Sequence, residues 1–346
     1  MLCAVLHRPN DLELVERPDP SPAPGEVLLK VEATTLCGTD MRILDGSKTA
    51  GVLPGMTPGH EIAGRIAALG EGVQGYYVGQ QATVSIVVSC HSCRDCQDSR
   101  EHLCANLELF GYAIDGGLAE YLVVPARAVS SGNLFVTSKE LPATHLCLSE
   151  PISCCLNGFD QYRVEPGDTV VVLGAGPIGL LHTQLAARLG GAAQVIVSNR
   201  SAARREIAAN LGATATVDPT TQDLKTAVLD ATDGQGADVV VVCIGGVDLA
   251  NTALQLAGNG GRVNYFAGFP KGSTAVMDPN LIHYKELAVS GGSNARRRDV
   301  RRAISVLEAG LIDADAIVSH RFPLARLHDA YDALKNRLGV KIAVIP

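Results

Sequence analysis

Val170-Val-Val-Leu-Gly-Ala-Gly-Pro-Ile-Gly179 runs from a short β-branched strand pattern straight into a glycine-rich turn. Val170 to Leu173 is an uninterrupted apolar run of the kind buried on both faces of a parallel sheet. The glycines that follow divide the work: Gly174 permits a tight turn, Gly176 leaves room for a pyrophosphate against the backbone, and Gly179 lets the next helix pack close to the strand. Ile178, Leu181, Leu185 and Leu189 then recur at helical spacing, and Gly190 and Gly191 are placed to end that helix. Free N–H groups at such a helix start bind phosphate without any charged side chain. A second strand pattern, Gln194 to Ser198, comes at βαβ distance. The segment therefore reads as a dinucleotide cradle formed by Gly174, Gly176, Pro177, Ile178 and Gly179. The competing reading is a glycine turn in some other α/β protein.

Towards the C-terminus the alternation continues. Arg200 to Leu211 reads as a helix and Ala213 to Val217 as a short strand. Ala237 to Ile244 is a buried strand, Leu249 to Leu256 a helix, Gly261 to Phe266 a strand, and Leu287 to Ser290 the last strand of the sheet. This rhythm is that of a doubly wound parallel sheet. Val300, Ala303, Ile304 and Leu307 then give a helix with one apolar stripe, and Ile317–Phe322 and Val340–Ile345 are strand patterns.

Towards the N-terminus the pattern is β-rich. Leu2, Val5 and Leu6, then Leu12, Leu14 and Val15, alternate as in a hairpin, and a proline-rich corner at 18–25 precedes a strand over Glu26–Ala33. That strand leads to Cys37-Gly-Thr-Asp40, where a thiol, a glycine and a hydroxyl meet at a turn. Gly59-His60-Glu61 opens another strand. Sulfur, imidazole and carboxylate together suit zinc. Adjacent residues of a regular strand point to opposite faces, so joint ligation by His60 and Glu61 requires irregular backbone there. Cys90-x2-Cys93-x2-Cys96-x7-Cys104 is the most specific signal in the chain. Four thiolates in one loop close a tetrahedral zinc site with no open position, so this ion is structural. His91 and His102 are bystanders in that loop. Glu150, in Ser149-Glu150-Pro151, starts a helical stretch and is either a solvated helix-start carboxylate or a group aimed at a metal.

The totals exclude several classes. The 346 residues suffice for two domains, and 47% hydrophobic content is ample for their cores. A net charge of −7 with interspersed signs gives no nucleic-acid surface. No stretch approaches the roughly 18 consecutive apolar residues of a membrane span, and the start lacks a signal peptide, so a cytoplasmic protein is expected. In that reducing compartment clustered cysteines read as metal ligands.

In order and across essentially the whole chain, these motifs resemble the medium-chain zinc-dependent alcohol dehydrogenases, and within them the polyol (sorbitol) dehydrogenase branch. The resemblance rests on Cys37-Gly-Thr-Asp40, Gly59-His-Glu-x2-Gly64-x5-Gly70-x2-Val73, the four-cysteine loop, Glu150-Pro151 and Gly174-Ala-Gly-Pro-Ile-Gly179. It implies a GroES-like catalytic domain over 1–150, a Rossmann domain over 151–285 and a return to the catalytic domain over 286–346. It also implies two zinc ions per chain, one structural and one catalytic, NADP or NAD, and a homodimer or homotetramer. Carried over, Cys37, His60 and Glu61 hold the catalytic zinc with water or substrate, Glu150 is an exchanging or water-mediated ligand, and Thr39 contacts the substrate oxygen. The substrate is then a small-molecule alcohol or ketone.

Two departures bear on detail. Where a carboxylate usually holds the ribose of NAD, the chain has Ser198-Asn199-Arg200 and no acid between Gly179 and Glu206, which with Arg204 favours the 2′-phosphate of NADP. Around the substrate, Ile43 and the run Asn294-Ala-Arg-Arg-Arg298 replace a tyrosine and an Arg-Tyr pair of sorbitol dehydrogenases, which argues against sorbitol itself. The expected substrate is a secondary alcohol of a polyol, cyclitol or sugar. Alternatives are a phosphorylated polyol gripped by Arg296, Arg297 or Arg298, an amino alcohol such as threonine, and, in a different class, an inactive nucleotide sensor that would hold only the structural zinc.

Overall fold

The computed structural model describes residues 1–346. The chain divides into two compact units. The first comprises Met1–Ser153, Asn294–Ala309 and Ile317–Pro346, and the second Cys154–Ser293 and Gly310–Ala316.

In the first unit Leu2–Arg8 and Asp11–Glu16 form the expected hairpin, with Asn10 at φ 62° in its turn. The main sheet has seven strands. Its path runs Val318–Pro323, Lys341–Ile345, Val27–Thr35, Glu61–Leu69, Gln81–Val84 and Leu134–Val136, and Tyr121–Val124 pairs with Val27–Thr35 off that path. The two C-terminal strands pair in parallel with each other, and Lys341–Ile345 joins Val27–Thr35 antiparallel. Val27, Leu29, Val31, Ile62, Ile66 and Phe110 lie in the core on this sheet. The helix Arg297–Glu308 buries Val300, Ala303, Ile304 and Leu307, the stripe read from the sequence.

The second unit is a six-stranded parallel sheet in the spatial order 215–217, 194–198, 169–173, 237–242, 257–265, 288–291. By order of appearance that is 3-2-1-4-5-6, the doubly wound arrangement whose switch point lies beside the first strand. Val170, Val171, Val172 and Val239 to Val242 are at most 0% exposed, which explains why these strands carry no polar alternation. Ala288–Gly291 extends this sheet by pairing with the strand ending at Tyr265, so the second unit runs past residue 285, where the sequence placed its end. No helix is long and apolar enough to cross a membrane.

Candidate active site and cofactor cradle

Strand register builds the first site. Thr35, the last residue of its strand, faces Glu61 on one side and Ala343 on the other. Lys341 opens the strand that carries Ala343, and its Nζ donates to Glu61 Oε1 at 2.7 Å. The Thr35 hydroxyl donates to the other carboxylate oxygen. Thr35 and Glu61 are fully buried and Lys341 is 3% exposed. Burial would lower the Lys341 pKa, but Glu61 outweighs it and the net shift is upward.

Gly59, at φ +92°, breaks the strand just before His60; a Cβ there would lie 2.8 Å from Leu118 Cγ. His60 therefore stands outside the regular pleat, whose first residue is Glu61. This supplies the irregular backbone that the two residues need to reach one point. Cys37 is the N-cap of the short helix Gly38–Leu44, and its backbone N–H donates to Asp40 Oδ2 at 2.7 Å. The other Asp40 oxygen faces His60 Nδ1 at 3.2 Å, without the alignment of a hydrogen bond. One ligand atom each from Cys37, His60 and Glu61 lie within 4.8 Å of one another. Glu150 stands outside this group, in the first turn of the helix Ser149–Tyr162, close enough for its charge to raise the pKa values of Tyr112 and Lys341.

The residues fit a zinc ion. Thiolate, imidazole and carboxylate form a tetrahedral donor set, and a carboxylate behind the imidazole is the usual support for a metal-bound histidine. The surroundings also favour positive charge. Burial lowers the His60 pKa, yet Asp40 and Cys37 more than reverse this and hold it well above the ordinary value.

Thr39, two residues after Cys37 in the first turn of that helix, is partly exposed, and its Oγ1 accepts from Arg42 Nη2 at 2.7 Å. Sequence reasoning missed Lys341 and Tyr112. The Tyr112 ring sits 5.7 Å from the His60 ring, and burial raises its phenol pKa. Asp40 was visible in the Cys37 motif but carried no assigned role.

The four cysteines form a second cluster. Their sulfurs are 3.5 Å apart for Cys93–Cys96, 3.4 Å for Cys90–Cys104, 3.9 Å for Cys93–Cys104 and 4.0 Å for Cys90–Cys96. A zinc tetrahedron with bonds of about 2.3 Å has an edge of about 3.8 Å, so the cluster has the right size. The N–H groups of Cys90 and Asn106 each donate to Cys104 Sγ at 3.3 Å. His91 and His102 stay outside it.

In the second unit, Gly174 adopts φ +104° after the strand Thr169–Leu173. Gly176 is the N-cap of the helix Pro177–Gln184, and a Cβ on it would meet nothing within 4 Å. A Cβ on Gly179 would lie 1.8 Å from the Gly174 carbonyl oxygen, so the third glycine closes helix onto turn. Pro177 and Ile178 form the first turn. Ser198, Asn199 and Arg200 line a cavity of about 280 Å³ with Gly174, Pro219, Ile244 and Asp248. Asn199 Oδ1 accepts from the Ala175 N–H at 3.2 Å, and Arg204 Nη1 donates to the Ala175 carbonyl at 3.2 Å. Arg205, the other arginine at this helix start, is paired with Asp218 at 3.0 Å. One local expectation fails: the helix turns into a π-helical segment over Leu185–Gly190, which rotates Leu189 outward to 41% exposure.

Comparison with known proteins agrees with this geometry. Residues 23–132 match the alcohol dehydrogenase GroES-like domain, and residues 177–309 match the zinc-binding dehydrogenase family. The chain is 36% identical over 315 residues to an L-threonine 3-dehydrogenase of Pyrococcus horikoshii, covering 90% of this chain and 88% of that one. It is 30% identical over 341 residues to a sorbitol dehydrogenase of Halalkalibacterium halodurans, covering 98% and 97%. Among solved structures, a Sinorhizobium meliloti 1021 protein described as a zinc-binding dehydrogenase and bound to NADP superposes with a TM-score of 0.92 at 35% identity, covering 100% and 99%.

Proposed function

The chain belongs to the zinc-dependent medium-chain alcohol dehydrogenases, in their polyol dehydrogenase-like branch, and we propose that it oxidises a secondary alcohol of a polyol, cyclitol or sugar derivative, or reduces the corresponding ketone, with NADP. The observation that carries this reading is the convergence of Cys37, His60 and Glu61 within 4.8 Å, a three-ligand set that leaves a tetrahedral ion one open position.

Cys37, His60 and Glu61 would hold the zinc. When bound, it supplies Lewis acidity that brings alcohol deprotonation into the neutral range. Asp40 faces Nδ1 of His60 at 3.2 Å, a carboxylate placed to support that imidazole as a metal ligand. Thr39 orients the substrate oxygen through Oγ1, with Arg42 holding that hydroxyl in place. Glu150 serves as an exchanging carboxylate. Gly176 and the start of the helix Pro177–Gln184 would hold the pyrophosphate of the dinucleotide, which when bound would supply hydride chemistry. Asn199 in place of an acid, with Arg200 and Arg204 beside it, favours a 2′-phosphate; the S. meliloti protein, similar over its full length, binds NADP.

A second reading is an amino alcohol substrate, favoured by the 36% identity to a threonine dehydrogenase. One experiment separates the two. Initial rates of nicotinamide reduction are measured with NAD and NADP across polyols, cyclitols, phosphorylated polyols and L-threonine. Turnover that Cys37→Ser abolishes, from protein with two zinc ions per chain, is the expected result. Silence across the panel from such protein would defeat the reading. Assembly as a homodimer or homotetramer, the habit of the family, is checked by light scattering. A cytoplasmic location is in keeping with clustered cysteines that serve as metal ligands.

A further inference from the structure

Tyr112 and Lys48 stand beside the Cys37 group, and the chemistry above gives neither of them a role. Backbone packing puts the tyrosine there. Gly111, at φ +75°, lies so close to Gly59 that a Cβ on it would be 2.9 Å from the Gly59 carbonyl carbon. The residues that follow these two glycines, Tyr112 and His60, are thereby brought together, with ring centroids 5.7 Å apart. Packing in a cluster with Leu6, Ile43 and Met56 leaves Tyr112 only 7% exposed.

Its hydroxyl is not closed in with the ring. A buried tyrosine ordinarily finds a partner for its O–H, but this hydroxyl makes no hydrogen bond within the chain and is not sealed from solvent. The charges of His60, Asp40, Cys37 and Glu150 all act on it, which places a free donor among the residues of the catalytic group. Lys48 reaches the same ring from another direction. Its N–H donates to the Arg42 carbonyl at 2.8 Å, which ties its loop to the helix that Cys37 caps, and the Leu53 N–H donates to the Tyr112 carbonyl at 3.0 Å. The Lys48 ammonium lies 5.9 Å from the centre of the Tyr112 ring, close enough for the ring face to attract it. The side chain is half-buried and forms no ion pair.

We infer that Tyr112 and Lys48 bind a carboxylate on the alcohol being oxidised, so that the substrate is a hydroxy acid and not a neutral polyol. This rests on the dehydrogenase reading above and narrows its substrate class. A phenolic O–H and an ammonium on one ring offer a carboxylate one neutral and one charge-assisted hydrogen bond. A phosphate monoester carries a charge of about −1.5 to −2. Set near Asp40 and Glu150, that is more negative charge than one ammonium offsets. A site that bonds a substrate group discriminates against the analogue lacking it, because its polar groups are then left unpaired.

The test uses matched pairs that differ only in carboxylate against CH2OH: a series of aldonates with their alditols, and L-threonine with L-threoninol. Initial rates of NADP reduction are measured with the zinc-replete full chain, and alditol phosphates are run beside each pair. The acid of a pair that is turned over should have a kcat/KM at least about tenfold above its neutral partner, the scale of one hydrogen bond to a charged group. Lys48→Gln should erase that preference, raising KM for the acid more than it lowers kcat, and Lys48→Arg should restore much of it. Tyr112→Phe, which keeps the ring, should remove part. Circular dichroism checks that each variant folds. Equal turnover within the pairs, a preference for the neutral or phosphorylated member, or a preference that survives Lys48→Gln overturns the inference and leaves the dehydrogenase reading standing. Silence from every pair, with two zinc ions per chain, overturns both.

Discussion

Glu61 and Lys341 are both buried, at 0% and 3% exposure, and each is the other's charge partner. Removing the ammonium leaves a buried carboxylate without its counter-ion, a loss of about 3–5 kcal/mol. A zinc ion facing Glu61 would replace part of that charge. Lys341→Met should therefore destabilise chelator-treated protein clearly more than zinc-loaded protein, in urea unfolding followed with and without the ion. Glu61→Gln in the same chain should recover part of the loss. Equal destabilisation in both states would mean that Glu61 does not face the metal. The sequence could not show this pair, because 280 residues separate its members and a lysine at a strand start reads as a solvent residue. Cys37 and His60 were legible because thiols and imidazoles at motif spacing carry their chemistry locally. The roles of Lys341 and Tyr112 come from register and packing.

The turn and helix of the glycine motif were legible for a similar reason: Gly174 needs its positive φ and Gly179 its close approach within six residues of chain. Two substitutions separate packing from binding. Gly179→Ala would drive a methyl into the Gly174 carbonyl and should lower stability by about 1–3 kcal/mol, as overpacking does. Gly176→Ala projects into open space, so it should leave the unfolding midpoint unchanged while weakening NADP binding, both read from thermal unfolding and titration. The same helix carries a feature no periodicity announced. His182, fully buried, meets the Tyr162 hydroxyl through Nδ1 at 2.7 Å, and its Nε2 has no partner. Burial lowers its pKa to about 3. The unfolded imidazole titrates near 6.5. Below about pH 6.5 the unfolded chain thus holds a proton that the folded chain refuses, and stability falls as pH drops. The slope from this group is at most about 1.4 kcal/mol per pH unit. His182→Gln, which can still accept from Tyr162, should flatten the stability difference between pH 7 and pH 4 relative to the parent. An unchanged slope would place the acid sensitivity elsewhere.

The chain visits its two units in alternation. The two C-terminal strands were legible from their apolar pattern, while their return to the first sheet was implied by the family resemblance; the short passage Gly310–Ala316 in the second unit was not legible, since seven residues without an element carry no periodic signal. Each unit holds its own ligands in this account: the four-cysteine cluster and the Cys37 group in the first, and the dinucleotide cradle in the second. A ligand that binds only folded protein stabilises it by about 2.7 kcal/mol at a hundred times its dissociation constant. Amides that exchange through openings which release the ligand should then slow about 100-fold. Hydrogen exchange read by mass spectrometry should show NADP protecting the strands Thr169–Leu173, Gln194–Ser198 and Ala237–Val242. Zinc chelation should instead deprotect residues 90–104, whose short helix Arg94–Gln97 has no buried residue of its own and depends on the four sulfurs being tied together. If chelation loosens the strands of the second unit as much as the cysteine loop, the ions stabilise the whole chain, and the assignment of each ligand to its own unit fails.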